Sequence, residues 1–378
     1  MSRMKKGFTL IELLAVILIL GIITLIAIPK ISDVIKESKT NSYKLSKDNI
    51  LKAIQDKCTV DKINNKEITR MYTIENNKIT PKIDINGDIP FTGKIYVSDD
   101  CEVNMNMSYE NSRMIHINGI EQTFEKNDNN DIVKDEITER FIYKGSNPDN
   151  YILLDNVYYR IISYETDGTI KVKLHVPTDW GTFDERLSRK NTSNSYCNNT
   201  NSCNIYGSIT GTVENGTAKG EVVSNSSVAN RMNNLYNSFS DELKNAIVLH
   251  EFNMGGVPKN FSYCNDYDKL DELESAIKWK GYIGLITMSD FFKASLNDKC
   301  ASASEFKNYM LNGEMFAFMN PVLNTYDQIH VFHWEGTEMP RAAYTNANRV
   351  NLYPVFYLRK GTKLSGDGTK NNPFKLSA

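Results

Sequence analysis

The stretch GFTLIELLAVILILGIITLIAIPK, positions 7–30, constrains this chain more than any other. Leu13 to Ile28 is apolar or small throughout except for Thr24, and Phe8, Leu10 and Ile11 carry the run back past Glu12. As a helix rising ~1.5 Å per residue, Phe8 to Ile28 covers roughly 31 Å, about the hydrocarbon thickness of a bilayer. It can therefore span. Arg3, Lys5 and Lys6 precede it with no acid among them, so the short N-terminus is expected in the cytoplasm and the rest of the chain outside. A cleaved secretory signal fits poorly, because the run exceeds a signal core of roughly 7 to 15 residues and no small-x-small site follows it before Pro29.

A plain membrane anchor leaves Glu12 unaccounted for. A carboxylate in hydrocarbon costs on the order of 2 to 3 kcal/mol, and such residues normally face a partner. A cut after Gly7 would place a new amine on Phe8, one helical turn or ~6 Å from Glu12. In a bundle of parallel, axially staggered copies, the amine of one subunit can meet the carboxylate of another, and a buried charge is tolerable when paired.

Gly7-Phe8-Thr9-Leu10-Ile11-Glu12, with basic residues before it and an apolar helix after it, resembles the class III signal of type IV pilins and pseudopilins. The resemblance implies that a prepilin peptidase cuts between Gly7 and Phe8 and methylates the new terminus. It assigns Glu12 to the assembly glutamate of that family, and Gly21 and Pro29 to helix-breaking positions bounding a segment that can unwind in a filament. On residue grounds alone, Gly21 is also a packing glycine of a membrane helix, and Pro29 also marks where the span ends, since proline removes an intrahelical bond. The implied partners are other pilin subunits, prepilin peptidase and the pilus assembly platform. The implied locations are the plasma membrane before assembly and an extracellular pilus or cell surface after it.

The 378 residues are long for one core and predict two or more outer domains behind the helix. A net charge of −2 gives no electrostatic case for nucleic acid as a partner. Cys58, Cys101, Cys197, Cys203, Cys264 and Cys300 all lie beyond the apolar run. An even count on the oxidising side reads as disulfides, with sequential pairing expected although the sequence permits others. Metal is the weaker reading, since there is no Cys-x-x-Cys. No cofactor is expected.

After Pro29 the helix should resume. Ile31, Val34, Ile35, Tyr43, Ile50, Leu51 and Ile54 recur at helical spacing while lysines occupy the other faces, giving one helix to about Asp56. From Cys58 to about Phe124 short alternating runs follow, Ile79–Ile85, Gly93–Val97, Glu102–Tyr109 and Ser112–Asn118, joined by tight turns. They predict an antiparallel sheet. Glu125 to Arg140 is charged and poor in large apolar residues, and reads as a linker. Tyr151–Leu154, Val157–Tyr164 and Thr169–His175 read as a three-stranded meander. Helices are expected at Val228–Phe239 and, capped by Ser240, at Asp241–Val248. A short strand Tyr282–Thr287, a helix capped by Ser289 and running through Ala294, and a last strand Tyr353–Arg359 complete the pattern. The expected class is α+β, as a long N-terminal helix on an antiparallel sheet followed by a second α+β domain. The expected boundaries are leader 1–7, helix 8–57, β head 58–126, linker 127–140 and outer domain 141–378.

NVYYRIISYETDGTIKV, YIGLITMSDFF with Cys300, and YPVFYLRKGTKLSGDGTKNNPFKL are similar to a recurrent extracellular domain of low-GC Gram-positive bacteria, often carried on prepilin-like or other anchored surface proteins. The similarity brings no catalytic assignment. Tyr159 stands where that domain has tryptophan, and Tyr353 where it has arginine before proline.

Few residues point to chemistry. His330-x-x-His333 with Glu335 would offer metal ligands on a helix, but the bulky and β-branched residues around it favour a strand, where i and i+3 face opposite sides. His116 and His175 read as packing residues. Ser304-x-x-Lys307 lacks the companion motifs of its enzyme class. Ser365-Gly366-Asp367-Gly368-Thr369 reads as a turn, not a phosphate cradle. Trp180, Trp279 and Trp334 would offer stacking faces to a host or glycan ligand, or lie in the core. The expectation is therefore a non-enzymatic filament subunit, minor or terminal, displaying an interaction domain. The alternative is a pseudopilin of a secretion or DNA-uptake system.

Overall fold

The computed structural model describes residues 10–85, 87–109, 112–125, 130–181, 203–206, 208–214, 217–223, 226–261, 266–296, 307–311, 315–332, 340–344 and 350–377; at positions 12, 20–33, 36–37, 124–125, 179–181, 208–214, 217–223, 267 and 340–344 it describes the backbone alone. The protein is α+β with several antiparallel sheets. It divides into two compact units, Met1–Val103 and Asn104–Ala378.

The first unit is dominated by α1, Leu10–Ile63, which at ~1.5 Å per residue is roughly 80 Å long. It runs past the expected end near Asp56 because nothing there stops it. It stops at Asn64-Asn65, where Asn65 takes a positive φ of 51°. Lys66 N–H then reaches Asp61 O at 2.8 Å and Asn65 N–H reaches Lys62 O at 3.2 Å, the pair of bonds that closes a Schellman motif. Ile50, Ile54 and Cys58 form the buried stripe of the helix, spaced one turn apart. Tyr43 meets the buried Phe91 with ring centroids 6.1 Å apart, and a disulfide joins Cys58 to Cys101, Cα to Cα 5.7 Å.

Strands β1 (Met71–Glu75), β2 (Lys78–Thr80) and β3 (Thr92–Val97) form an antiparallel ladder with β1 central, Ile74 opposite Ile79 and Tyr72 opposite Ile95. The β1–β2 turn is Asn76-Asn77, both at positive φ, as a two-residue hairpin requires. The strand expected over Ile79–Ile85 ends at Thr80, because Pro81 has no N–H for the ladder.

In the second unit the chain continues from β4 (Val103–Tyr109) through β5 (Ser112–Ile117) and β6 (Ile120–Glu125) as an antiparallel meander, with Asn118-Gly119 turning at positive φ. The expected linker corrects to structure. β7 (Asn130–Lys134) pairs with β8 (Phe141–Gly145), Ile132 opposite Tyr143. Asp135 N–H to Arg140 O, 2.8 Å, closes the loop between them. The pattern hid this strand because it is anchored by one fully buried side chain, Ile132.

β7 and β8 edge the largest sheet. It continues through β10 (Val157–Tyr164), carrying β9 (Tyr151–Leu154), then β11 (Ile170–Leu174) and the strand Pro354–Leu358, on which Ile247–Val248 and Gly284–Leu285 both pair. All these pairs are antiparallel. A five-stranded sheet includes Phe316–Pro321 and Gln328–Phe332. Phe291, from the helix Met288–Lys293, packs on Phe316, Phe318 and Phe332 with centroids 4.9 to 5.7 Å apart.

Helices α2 (Ser227–Ser238) and α3 (Asp241–Ala246) begin at the N-caps Ser226 and Ser240. α3 stops short of the expected Val248 because the β-branched pair Ile247-Val248 joins the sheet. The strand expected over Tyr282–Thr287 is reduced to Gly284–Leu285. The expected cap Ser289 is also corrected. Thr287 caps Met288–Lys293, in a capping box with Asp290, and Ser289 lies inside the first turn.

Candidate functional site

Two places merit attention: the N-terminal segment that the sequence singles out, and a polar cleft in the second unit that it does not. Gly7 and Phe8 lie outside the described residues. Glu12, Gly21 and Pro29 fall within α1, whose backbone is helical without interruption through all three. Leu10, Ile11, Leu13, Leu14, Val16, Ile17, Leu18 and Ile19 are each about half exposed or more, and they occupy every face of the helix. An apolar helix exposed all round is a surface that bilayer or other helices must cover. Among residues whose side chains are described, no helix is long and apolar enough to cross a membrane; the apolar run continues through positions 20–28, where only the backbone is described.

Of the other predicted residues, Cys203 is buried and disulfide-bonded, while Cys197, Cys264 and Cys300 lie outside the described residues. His330 is in a strand, its Nε2 2.8 Å from Val257 O, and burial lowers its pKa. His333, Glu335, Ser304 and Trp334 lie outside the described residues. Among the described residues no group of three or more His, Cys, Asp or Glu side chains is arranged to hold a metal ion. His116 meets Glu121 at 3.1 Å, and His175 packs edge-on against Tyr151. Trp279 is no surface platform, being buried between Tyr206 and Phe252; the side chain of Trp180 is not among those described. Asp367 Oδ1 accepts from Thr369 N–H at 3.0 Å and from its hydroxyl, which makes the glycine-rich C-terminal stretch a turn.

The cleft holds about 450 Å³, and its floor is a network of buried charge. Arg140, just ahead of β8, donates from Nη1 to Asp290 Oδ1 at 3.1 Å. Lys171, on β11, lies 2.7 Å from Asp290 Oδ2. Asp290 itself is fully buried. Burial pushes its carboxyl up, but Lys171 and Arg140 together outweigh that and hold it below the usual range. Lys171 and Arg140 are raised in turn: burial lowers each, and the surrounding carboxylates prevail. Lys293 pairs with Asp135 at 2.6 Å and with Asp271.

One wall is the helix Leu270–Ser275, which contributes Asp271, Glu272 and Glu274. Glu274 receives the Ser289 N–H at 2.8 Å and its hydroxyl at 2.5 Å. Burial pushes this acid up to about 8, helped by Asp271 and Asp290 and opposed by the Ser289 bonds. At the mouth, His250 stacks on Tyr357 with centroids 3.7 Å apart, and its Nε2 lies 3.1 Å from Asp167 Oδ2. That contact holds the Asp167 carboxyl well below the ordinary range.

Sequence patterning missed all of this. Ile170-Lys171-Val172-Lys173-Leu174 alternates like a strand with one wet face, yet Lys171 and Lys173 are both buried. A buried lysine becomes recognisable only through its partner, and Asp290 is 119 residues away.

The family described as the prokaryotic N-terminal methylation motif matches residues 2–28. No curated protein and no solved structure matches the chain. The chain therefore opens with the methylation motif of type IV pilin-like and pseudopilin precursors.

Proposed function

We propose that this protein is a type IV pilin-like subunit, cut between Gly7 and Phe8 by prepilin peptidase and assembled through α1 into a surface filament. The observation that carries the reading is the methylation motif at residues 2–28, which contains the apolar stretch Leu10–Ile19, exposed on every face of α1. Before assembly the segment spans the plasma membrane, with the basic leader in the cytoplasm. On extraction by the assembly platform it exchanges lipid for neighbouring subunits, and Glu12 pairs with the methylated amine of Phe8 on another copy. Gly21 and Pro29, helical in the single chain, bound the stretch that unwinds in the filament.

The Cys58–Cys101 and Cys203 disulfides support exposure to the oxidising side. The bulk of the chain beyond α1 supports a minor or tip subunit, because so large a head crowds a tight helical repeat. Its outer part is displayed for adhesion, and no catalytic role is proposed. Mass spectrometry of the mature protein tests processing: the expected chain begins at Phe8 with one added methyl group, and a chain still beginning at Met1 overturns the reading. Immunogold on sheared filaments separates filament subunit from pseudopilin; label on long fibres supports the former and its absence the latter.

A further inference from the structure

Tyr236 and Tyr282 lie face to face in the second unit, ring centroids 4.5 Å apart and planes within 5° of parallel. Among the described residues they are the two tyrosines stacked in this way; Tyr143 and Tyr164 are tilted by 47°, and Tyr151 and Tyr158 meet edge-on. The two rings are held by different elements. Tyr236 sits on α2, which is anchored by the buried Met232 and followed by Phe239, whose ring meets Tyr236 edge-on at 6.3 Å and packs on the buried Phe356. Tyr282 lies between the strand Lys278–Gly281 and Ile283, a fully buried residue whose carbonyl accepts from the Tyr206 hydroxyl at 2.6 Å. Both backbones are therefore fixed while both rings reach solvent, Tyr282 being 39 % exposed and Tyr236 half-buried.

Two stacked phenols within reach of solvent can do a chemistry that a buried pair cannot. One-electron oxidation of a phenol removes an electron and the hydroxyl proton, leaving a phenoxyl radical whose unpaired spin is shared by the oxygen and the ortho and para ring carbons. The para carbon already bears Cβ, so stable coupling runs through ortho carbons. Stacked faces let two ortho carbons meet through their π lobes. The new carbon–carbon bond makes both tetrahedral; each then gives up its hydrogen as a proton while its ring oxygen regains one, and the product is two phenols joined as a biphenol. Solvent on the outer side leaves the rings room to turn from the stack into the twisted biphenol. The pair has lost two hydrogen atoms in all, and hydrogen peroxide, acting through a peroxidase, takes them up and becomes two waters. Holding the reactants together makes the step effectively unimolecular, so coupling within the pair should outrun coupling between separate molecules in dilute solution.

We propose that Tyr236 and Tyr282 are an oxidative cross-linking site, where hydrogen peroxide and a peroxidase join the two rings as dityrosine and tie α2 covalently to the end of the strand Lys278–Gly281. An extracellular oxidant reaches the pair only if this unit lies outside the membrane, so the setting rests on the location proposed above. The chemistry does not.

The test is oxidation of the full chain in detergent, in dilute solution, by hydrogen peroxide with a peroxidase, read by intact mass, peptide mapping and biphenol fluorescence. The monomer is expected to lose two hydrogens, gain the fluorescence and yield a cross-linked peptide pair containing Tyr236 and Tyr282. Tyr236→Phe and, separately, Tyr282→Phe keep an aromatic ring in the stack and remove one phenol; each should cut the intramolecular product about tenfold or more. Tyr158→Phe, at a half-buried tyrosine outside the pair, should leave that product unchanged. Tyr282 is exposed, so its variant decides the matter if Tyr236→Phe fails to fold. Dityrosine mapped mainly to other tyrosines or between molecules, a product undiminished in Tyr282→Phe, or no dityrosine at all overturns the proposal. The oxidation needs no filament. A cross-link in a chain that still begins at Met1 therefore removes the filament reading and keeps the site, and a processed chain without the cross-link does the reverse.

Discussion

Asp290 holds two cations in a place without water, and its removal leaves both uncompensated. Asp290→Asn is expected to destabilise the second unit by about 3–5 kcal/mol, the usual effect of breaking a buried pair from one side, read as a lowered urea midpoint by tryptophan fluorescence. Glu274 gives a pH signature of the opposite kind. Its folded pKa, about 8, lies above the ordinary 4.5, so the folded state holds a proton that the unfolded state has released. Its contribution to stability is complete below about 4.5 and is lost as pH rises through about 8. Glu274→Gln, which stays neutral, is expected to flatten the fall in melting temperature between pH 5 and 9; parallel curves for the two proteins would remove Glu274 as the cause.

Among the elements, α1 and the strand-to-helix contacts are the points of leverage. The Cys58–Cys101 bond closes a loop of 43 residues between helix and strand region. Chain entropy alone gives such a closure about 4 kcal/mol. Cys58→Ser should lower the stability of the first unit by up to that amount, measured as earlier proteolysis of residues 58–101 under non-reducing conditions, and reduction of the wild type should match it. Gly255 is a second point. A Cβ there would sit 2.1 Å from Leu273 O, a backbone atom at the end of the helix that forms the cleft wall. Gly255→Ala therefore forces that helix to move, at about 1–3 kcal/mol, and hydrogen exchange should localise the loosening to residues 270–277.

For the whole molecule, the proposed assembly runs through the apolar N-terminal part of α1, exposed over Leu10–Ile19. Glu12→Ala is expected to leave the protein membrane-bound and processed but absent from sheared fibres; incorporation at wild-type levels would remove the proposed pairing with the Phe8 amine. Everything this rests on is local, which is why it was legible. The basic leader, the cut-site glycine and the greasy run occupy some thirty consecutive positions, and a helix needs only its own residues to declare a period. The turn between Tyr151–Leu154 and Val157–Tyr164 was legible for the same reason, since Asp155-Asn156 adopts positive φ by its own chemistry, whereas Asn118, expected at the end of a strand, turns with Gly119 instead. β1, β7 and the extra turns of α1 were less so, because a strand with one or two anchoring side chains is defined by its neighbour. The sequence by itself determined that the chain opens with the N-terminal methylation motif on an apolar run and that its remainder is α+β. Only the tertiary structure decided that Arg140, Lys171 and Asp290, spread over 150 residues, share one buried network, because the energy of a buried charge depends on what surrounds it in space and leaves no period along the chain.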